Sequence, residues 1–96
     1  MKVTYTGQTT GTHGAAWTQN SGGVVVADGA TGATYAYSAT GLPDGMAIDT
    51  TTGVLSAATG LASDAISGAA IITVAEKVSG TATGVIGTVT VNFTID

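Results

Sequence analysis

YAYSATGLPDGMAIDTTTGVLS, residues 35–56, is the stretch from which the fold of this chain can be read. Tyr35, Tyr37 and Ala39 alternate with Ala36, Ser38 and Thr40, so an extended segment here has one larger, more apolar face and one small, polar face. That period predicts a strand. Gly41-Leu42-Pro43-Asp44-Gly45 follows, where Pro43 fixes its own φ, Asp44 can bond its own backbone and Gly45 tolerates positive φ, which predicts a corner. Met46 to Asp49 then forms a short extended run, Thr50-Thr51-Thr52-Gly53 turns, and Val54-Leu55-Ser56 extends again.

The run Tyr37-Ser38-Ala39-Thr40-Gly41-Leu42-Pro43-x-Gly45-Met46-x-Ile48-Asp49-x-x-Thr52-Gly53-Val54-Leu55-Ser56 resembles the signature of the immunoglobulin-like family related to cadherin-like domains, found in bacterial surface proteins and phage structural proteins. In that family a GLPxGLxIDxxTGxxSG segment crosses from one sheet to the other. The resemblance implies core roles for Leu42, Met46, Ile48 and Val54 or Leu55. It covers about twenty residues, with a generic likeness to the family's last two strands at residues 71–74 and 88–93. After Ser56 the chain departs from it, with Ala57-Ala58-Thr59-Gly60 where the family has Gly-Thr-Pro.

Working outward, Val3 and Tyr5 alternate with Lys2, Thr4 and Thr6, which predicts a first strand at a sheet edge. Residues 7–14 read as a Gly-punctuated loop. Residues 15–19 read as a short strand presenting Trp17, turning through Asn20-Ser21-Gly22-Gly23 into Val24-Val25-Val26-Ala27, a hairpin by proximity. Residues 28–32 form another turn and 57–68 a loop or short turn. Residues 69–77 are a strong strand and 78–84 a flexible loop. The longest strand, 85–95, carries Val89, Val91, Phe93 and Ile95 on a core face, with Thr88, Thr90, Asn92 and Thr94 on a wet one. Short strands with turn signals every 8–12 residues predict an all-β chain, an antiparallel immunoglobulin-like β-sandwich of about seven strands, with a small β-barrel as the alternative.

Ninety-six residues supply one core and not two, so residues 1–96 are read as a single immunoglobulin-like domain. Charged residues are 8% of the chain, against about a quarter in ordinary soluble domains, so solubility falls to Thr, Ser and exposed backbone. The net charge is −4 and Lys2 and Lys77 are the only cations, which leaves nothing to neutralise a phosphate backbone and argues against nucleic acid as a partner. Without cysteine there is neither a disulfide framework nor a thiolate metal site. Met1-Lys2 is followed by a polar segment rather than the apolar run of a signal peptide. No run reaches the length of a membrane helix, so the expectation is a product not exported by itself and not inserted in a membrane.

Catalytic groups are sparse. His13, the one histidine, lies in a Gly-Thr loop without a nearby carboxylate in sequence, and no serine is framed by the glycines of a nucleophile elbow. No Gly-Lys-Ser/Thr follows the glycines, so no phosphate loop is present. Asp28, Asp44, Asp49, Asp64, Glu76 and Asp96 are singly spaced, whereas calcium takes several clustered oxygens; turn-forming or solvated roles are expected. No enzyme activity, metal or cofactor is expected. Tyr5, Trp17, Tyr35, Tyr37 and Phe93 would stack a sugar only if several lay exposed together, and Trp17 is the candidate glycan contact.

Strand edges in monomers are guarded by charge or proline, and here little besides Lys2 and Lys77 does so. A Thr/Gly/Ala surface also loses little rotamer entropy when it packs. Together with the resemblance these features predict a structural module of a phage virion, a capsid decoration (cement) or tail-surface protein. Its partners are the major capsid or tail protein, or its own copies. The candidate docking residues are Val3, Thr4, Tyr5 and Thr6 of the first strand and Val89, Val91 and Phe93 of the last. The alternative is a module of a longer bacterial adhesin at the cell surface, contacting a host-surface glycan.

Overall fold

Nine strands and no helix occur among the described residues, 1–18 and 23–96, of a computed structural model of the chain. They are β1 (Lys2–Tyr5), β2 (Thr10–Gly11), β3 (Trp17–Thr18), β4 (Val24–Ala27), β5 (Ala33–Thr40), β6 (Ala47–Ile48), β7 (Leu55–Ala57), β8 (Gly68–Val78) and β9 (Thr81–Ile95). The all-β expectation holds. The count exceeds seven because β2, β3 and β6 are two-residue pieces.

The main sheet runs β2-β9-β8-β5, with β5-β8 and β8-β9 antiparallel and β2 parallel to β9 through Thr10↔Thr94 and Gly11↔Ile95. A second sheet, β3-β7-β6, faces it, and β1 and β4 form an antiparallel ribbon that packs against β9. Between the layers lies one cluster of buried side chains. Ile72, Val74, Val91 and Phe93 come from the main sheet, and Trp17, Leu55, Ala57, Met46 and Leu61 from the opposite side. Leu55, Ile72 and Val74 are fully buried, and each such side chain stabilises the fold by about 1.5–3 kcal/mol.

The opening stretch folds as its period predicts, and Leu55 rather than Val54 takes the deep position, with Met46 buried and Leu42 and Ile48 half-buried. The corner at residues 41–45 is closed by Met46 N–H donating to Pro43 O at 3.0 Å. The turn between β6 and β7 is built by Asp49, whose Oδ1 accepts from the N–H groups of Thr51 and Thr52 at 2.8 and 2.9 Å. Gly53 ends that turn at φ +74°, directly under the Tyr37 ring.

Three expectations need correction. Trp17 and Thr18 do not form a hairpin with Val24–Ala27, because β3 pairs with β7 and β4 pairs with β1. The turn expected at Asn20, Ser21 and Gly22 lies outside the described residues. Residues 78–84 are not a loop. Ser79 and Gly80, both at positive φ, make a two-residue turn between the paired Val78 and Thr81, the geometry whose twist matches the flanking strands. The third concerns residues 7–14, which contain β2: Gly11 can lie close to the core because a Cβ there would meet Trp17 and Leu61 at 2.9 Å.

Candidate protein-docking face

Strand alternation divides the main sheet into two faces. Inward go Tyr35, Tyr37 and Ala39 of β5, Ala70, Ile72, Val74 and Glu76 of β8, and Gly87, Val89, Val91 and Phe93 of β9, all buried or half-buried. Outward go Thr34, Ala36, Ser38 and Thr40, then Ala69, Ile71, Thr73, Ala75 and Lys77, then Ile86, Thr88, Thr90, Asn92 and Thr94. The registers place these in rows across the strands: Ser38-Thr73-Thr88, Thr40-Ile71-Thr90 and Ala36-Ala75-Ile86. No described element packs over them. Among these outward positions Lys77 is the one charge, and two isoleucines stand out of the sheet, Ile71 at 46% and Ile86 at 61% exposure. Large aliphatic side chains on the wet side of a sheet, in a field of hydroxyls and methyls, make a surface suited to being covered.

The residues expected to dock are elsewhere. Val3, Val91 and Phe93 are core, at 8%, 4% and 2% exposure, so their side chains offer almost no surface to a partner, and Val89 is half-buried on the inward face of its strand. The physical reason is the alternation itself, which sends the apolar members of the last strand inward and leaves its threonines outside. Thr4 and Tyr5 are half-buried, and Thr6 is exposed. Trp17 is not a surface contact either. It is 3% exposed, packs edge-on to Phe93 with ring centroids 5.9 Å apart, and donates its Nε1 proton to Thr10 O at 2.7 Å. Phe93 is also approached edge-on by Tyr5, at 6.2 Å.

Tyr35 and Tyr37 of β5 are half-buried, with ring centroids 6.5 Å apart. They line a shallow notch of about 610 Å3 with Thr34, Ala36, Thr50, Thr51 and Lys77.

Glu76 is the one charged side chain buried among the described residues. Its Oε2 accepts from Ala30 N–H at 3.0 Å and its Oε1 from the Thr83 hydroxyl at 2.8 Å. The Ala30 N–H, then the Thr83 hydroxyl, and lastly the Met1 amino group hold its carboxyl below the usual range against the opposing effect of burial. The carboxylate therefore ties the turn before β5 to the bulge of β9, where Thr83, Gly84 and Val85 sit opposite Glu76 alone. The turn-forming or solvated role expected of the carboxylates does not apply to Glu76, because the β8 alternation places it inward with Val74 and Ile72.

At the opposite end of the main sheet, loops 12–15, 41–46 and 59–68 are laced together. Gly14 N–H donates to Leu61 O at 2.8 Å, Ala62 N–H to Asp44 O at 2.9 Å, and Ile95 N–H to Ser67 Oγ at 2.8 Å. Asp44, Asp64 and Asp96 are all exposed there, as is His13, whose N–H donates to Asp96 O at 3.1 Å. Gly41, Leu42, Pro43, Asp44, Asp64, Ile66, Ser67 and Gly68 enclose a cavity of about 310 Å3. Among the described residues, no three His, Asp or Glu side chains are placed to hold a metal ion together, and no buried side-chain nitrogen or oxygen lacks a hydrogen-bond partner.

Compared with models of known protein families, with curated proteins and with solved structures, the chain finds no match.

Proposed function

We propose that this chain is a non-enzymatic, immunoglobulin-like structural module that docks in many copies on the protein lattice of a phage virion, as a capsid decoration or tail-surface protein. The observation that carries the reading is the outer face of β5-β8-β9, a broad sheet surface with two raised isoleucines and one charge. Short side chains such as Thr, Ser and Ala lose little conformational freedom on being covered, so such a face docks at low entropic cost. The resemblance of residues 37–56 to a family present in phage structural proteins supports the virion setting.

The docking surface moves accordingly from the terminal-strand side chains to this face, in which the last strand takes part through Thr88, Thr90 and Asn92 instead of Val89, Val91 and Phe93. The test is co-sedimentation with virions, quantified as copies per particle. A fixed, high copy number that Thr88→Arg abolishes supports the reading, and absence from particles overturns it. A second reading, an adhesin module that contacts a glycan, has the Tyr35–Tyr37 notch in its favour. It predicts glycan binding by the isolated chain that Tyr37→Ala removes.

A further inference from the structure

We propose that the outer face of the main sheet pairs with the same face of a second copy, strands antiparallel, about a twofold axis that crosses β8 at Thr73. The inference rests on reading this face as the docking surface and names the occupant it takes while the chain is free of the lattice.

Three observations point to a second copy. The first is electrostatic. The chain carries a net charge of −4, and its carboxylates sit at Asp28, Asp49 and Glu76 off this face and at Asp44, Asp64 and Asp96 beyond one end of the sheet. Two copies can therefore meet through the outer face without opposing carboxylates, whereas approaches through the acidic end repel.

The second is steric. A twofold axis through Thr73 sets position 71 of one copy against 75 of the other, and 77 against 69. Ile71 then stands over Ala75 and Lys77 over Ala69, large side chains over small ones at each place, as a self-complementary surface requires. The same axis sets Ile86 of β9 over Thr90. Pairing with strands parallel would put Ile71 on Ile71 and Lys77 on Lys77.

The third joins the ends. Lys77 lies four residues from Thr73, about 13 Å along the strand, and Ala69 lies equally far the other way. In the antiparallel pair the ammonium group of each copy reaches the Gly68 end of its partner, where Asp44 and Asp64 line the cavity. The single cation of the face is thus placed for the acidic end of a second molecule.

Strand spacing of about 4.8 Å and a rise of about 3.3 Å per residue give a face on the order of 15 by 27 Å, about 400 Å2, half of the roughly 800 Å2 per partner in a standard complex. The free pair is consequently weak, which leaves the face open to exchange a second copy for the lattice.

Sedimentation equilibrium of the intact chain, carried into the millimolar range at low salt, tests this. A monomer–dimer equilibrium is expected that Thr73→Arg abolishes and that Lys77→Glu weakens by about tenfold or more, the equivalent of about 1.4 kcal/mol. Adding Asp64→Lys to Lys77→Glu recreates both ion pairs with their signs exchanged and restores the dimer. Each variant is first shown to keep the parent's circular dichroism and unfolding midpoint. A chain that stays monomeric throughout, or a dimer indifferent to Thr73→Arg, overturns the pairing. If the chain is monomeric and Thr73→Arg nevertheless removes it from virions, the face docks on another protein and only the self-pairing fails. Indifference in both assays removes the docking face as well.

Discussion

The indole N–H of Trp17 donates to Thr10 O at 2.7 Å, so the largest side chain of the core also anchors the strand that borders β9. Gln8 Nε2 donates to the same oxygen, at 2.7 Å. Trp17→Ala removes ring and bond together and is expected to cost about 3–5 kcal/mol. Trp17→Phe keeps a ring and leaves Thr10 O its second donor, so the expected cost is about 1 kcal/mol. Urea unfolding of the two variants measures the difference, and equal losses would show that the bond to Thr10 rather than the packing dominates.

Gly53 lies at φ +74° and a Cβ there would stand 2.8 Å from the Tyr37 ring, while Gly32 has the same φ and open space around it. Both Gly→Ala variants are destabilised by backbone strain of about 1 kcal/mol. Gly53→Ala is expected to lose more, because Tyr37 must also move. The gap between the two unfolding free energies reads that displacement alone.

Asp49 and Glu76 both have depressed pKa values. The Thr52 and Thr51 N–H groups hold the first below 3.8, and the Ala30 N–H and the Thr83 hydroxyl hold the second below 4.5. In each case the unfolded chain takes up its proton first as pH falls. The stability these groups contribute is therefore fully present above the ordinary carboxylate values and is lost as pH drops through the folded ones. Glu76→Gln is expected to lower stability at pH 7 and to flatten the acid limb of a stability–pH curve. Asp49→Asn, which keeps the oxygen that accepts both bonds, flattens it with a smaller loss at neutral pH.

Tyr5 works at the other end of the scale. Burial pushes its phenol up from 10.0 to about 12, and its hydroxyl donates to Gln8 O at 2.6 Å. Above pH 10 the unfolded chain ionises this group before the folded one does, so its contribution declines as pH rises from 10 towards 12. Tyr5→Phe is expected to be less stable at pH 7 by about 1 kcal/mol and to show a shallower fall above pH 10. A parallel fall in both proteins would assign the alkaline limb to other tyrosines.

The fold was legible wherever a strand carried its own period. Tyr35 to Thr40 and Val89 to Ile95 announce both their conformation and their inward face, the Pro43 turn leads into β6, and the Gly53 turn separates β6 from β7. Pairing was less legible. Thr10-Gly11 has no apolar alternation, and its partner at Thr94–Ile95 is more than eighty residues away, so nothing local marks it as a strand. Adjacent runs at Trp17 and Val24 suggested each other, whereas their partners are Ser56–Ala57 and Lys2–Tyr5. The outer face of the main sheet is present in the sequence as the wet side of the last strand. It went unrecognised because Ile71 and Ile86 look like core residues until the register shows that their neighbours Ile72 and Gly87 hold the inward positions.

The parallel pairing of Thr10 with Thr94 also sets an order of events during synthesis. Loop-closing contacts this distant in sequence form slowly, and here they cannot form at all while Thr94 and Ile95 are still inside the ribosomal tunnel. Until Phe93 emerges, Trp17 has no ring to pack against and β9 is incomplete at its C-terminal end. The nascent chain thus keeps its core open until Phe93 has left the tunnel. Without Phe93 the core would lack the ring on which both Trp17 and Tyr5 pack edge-on.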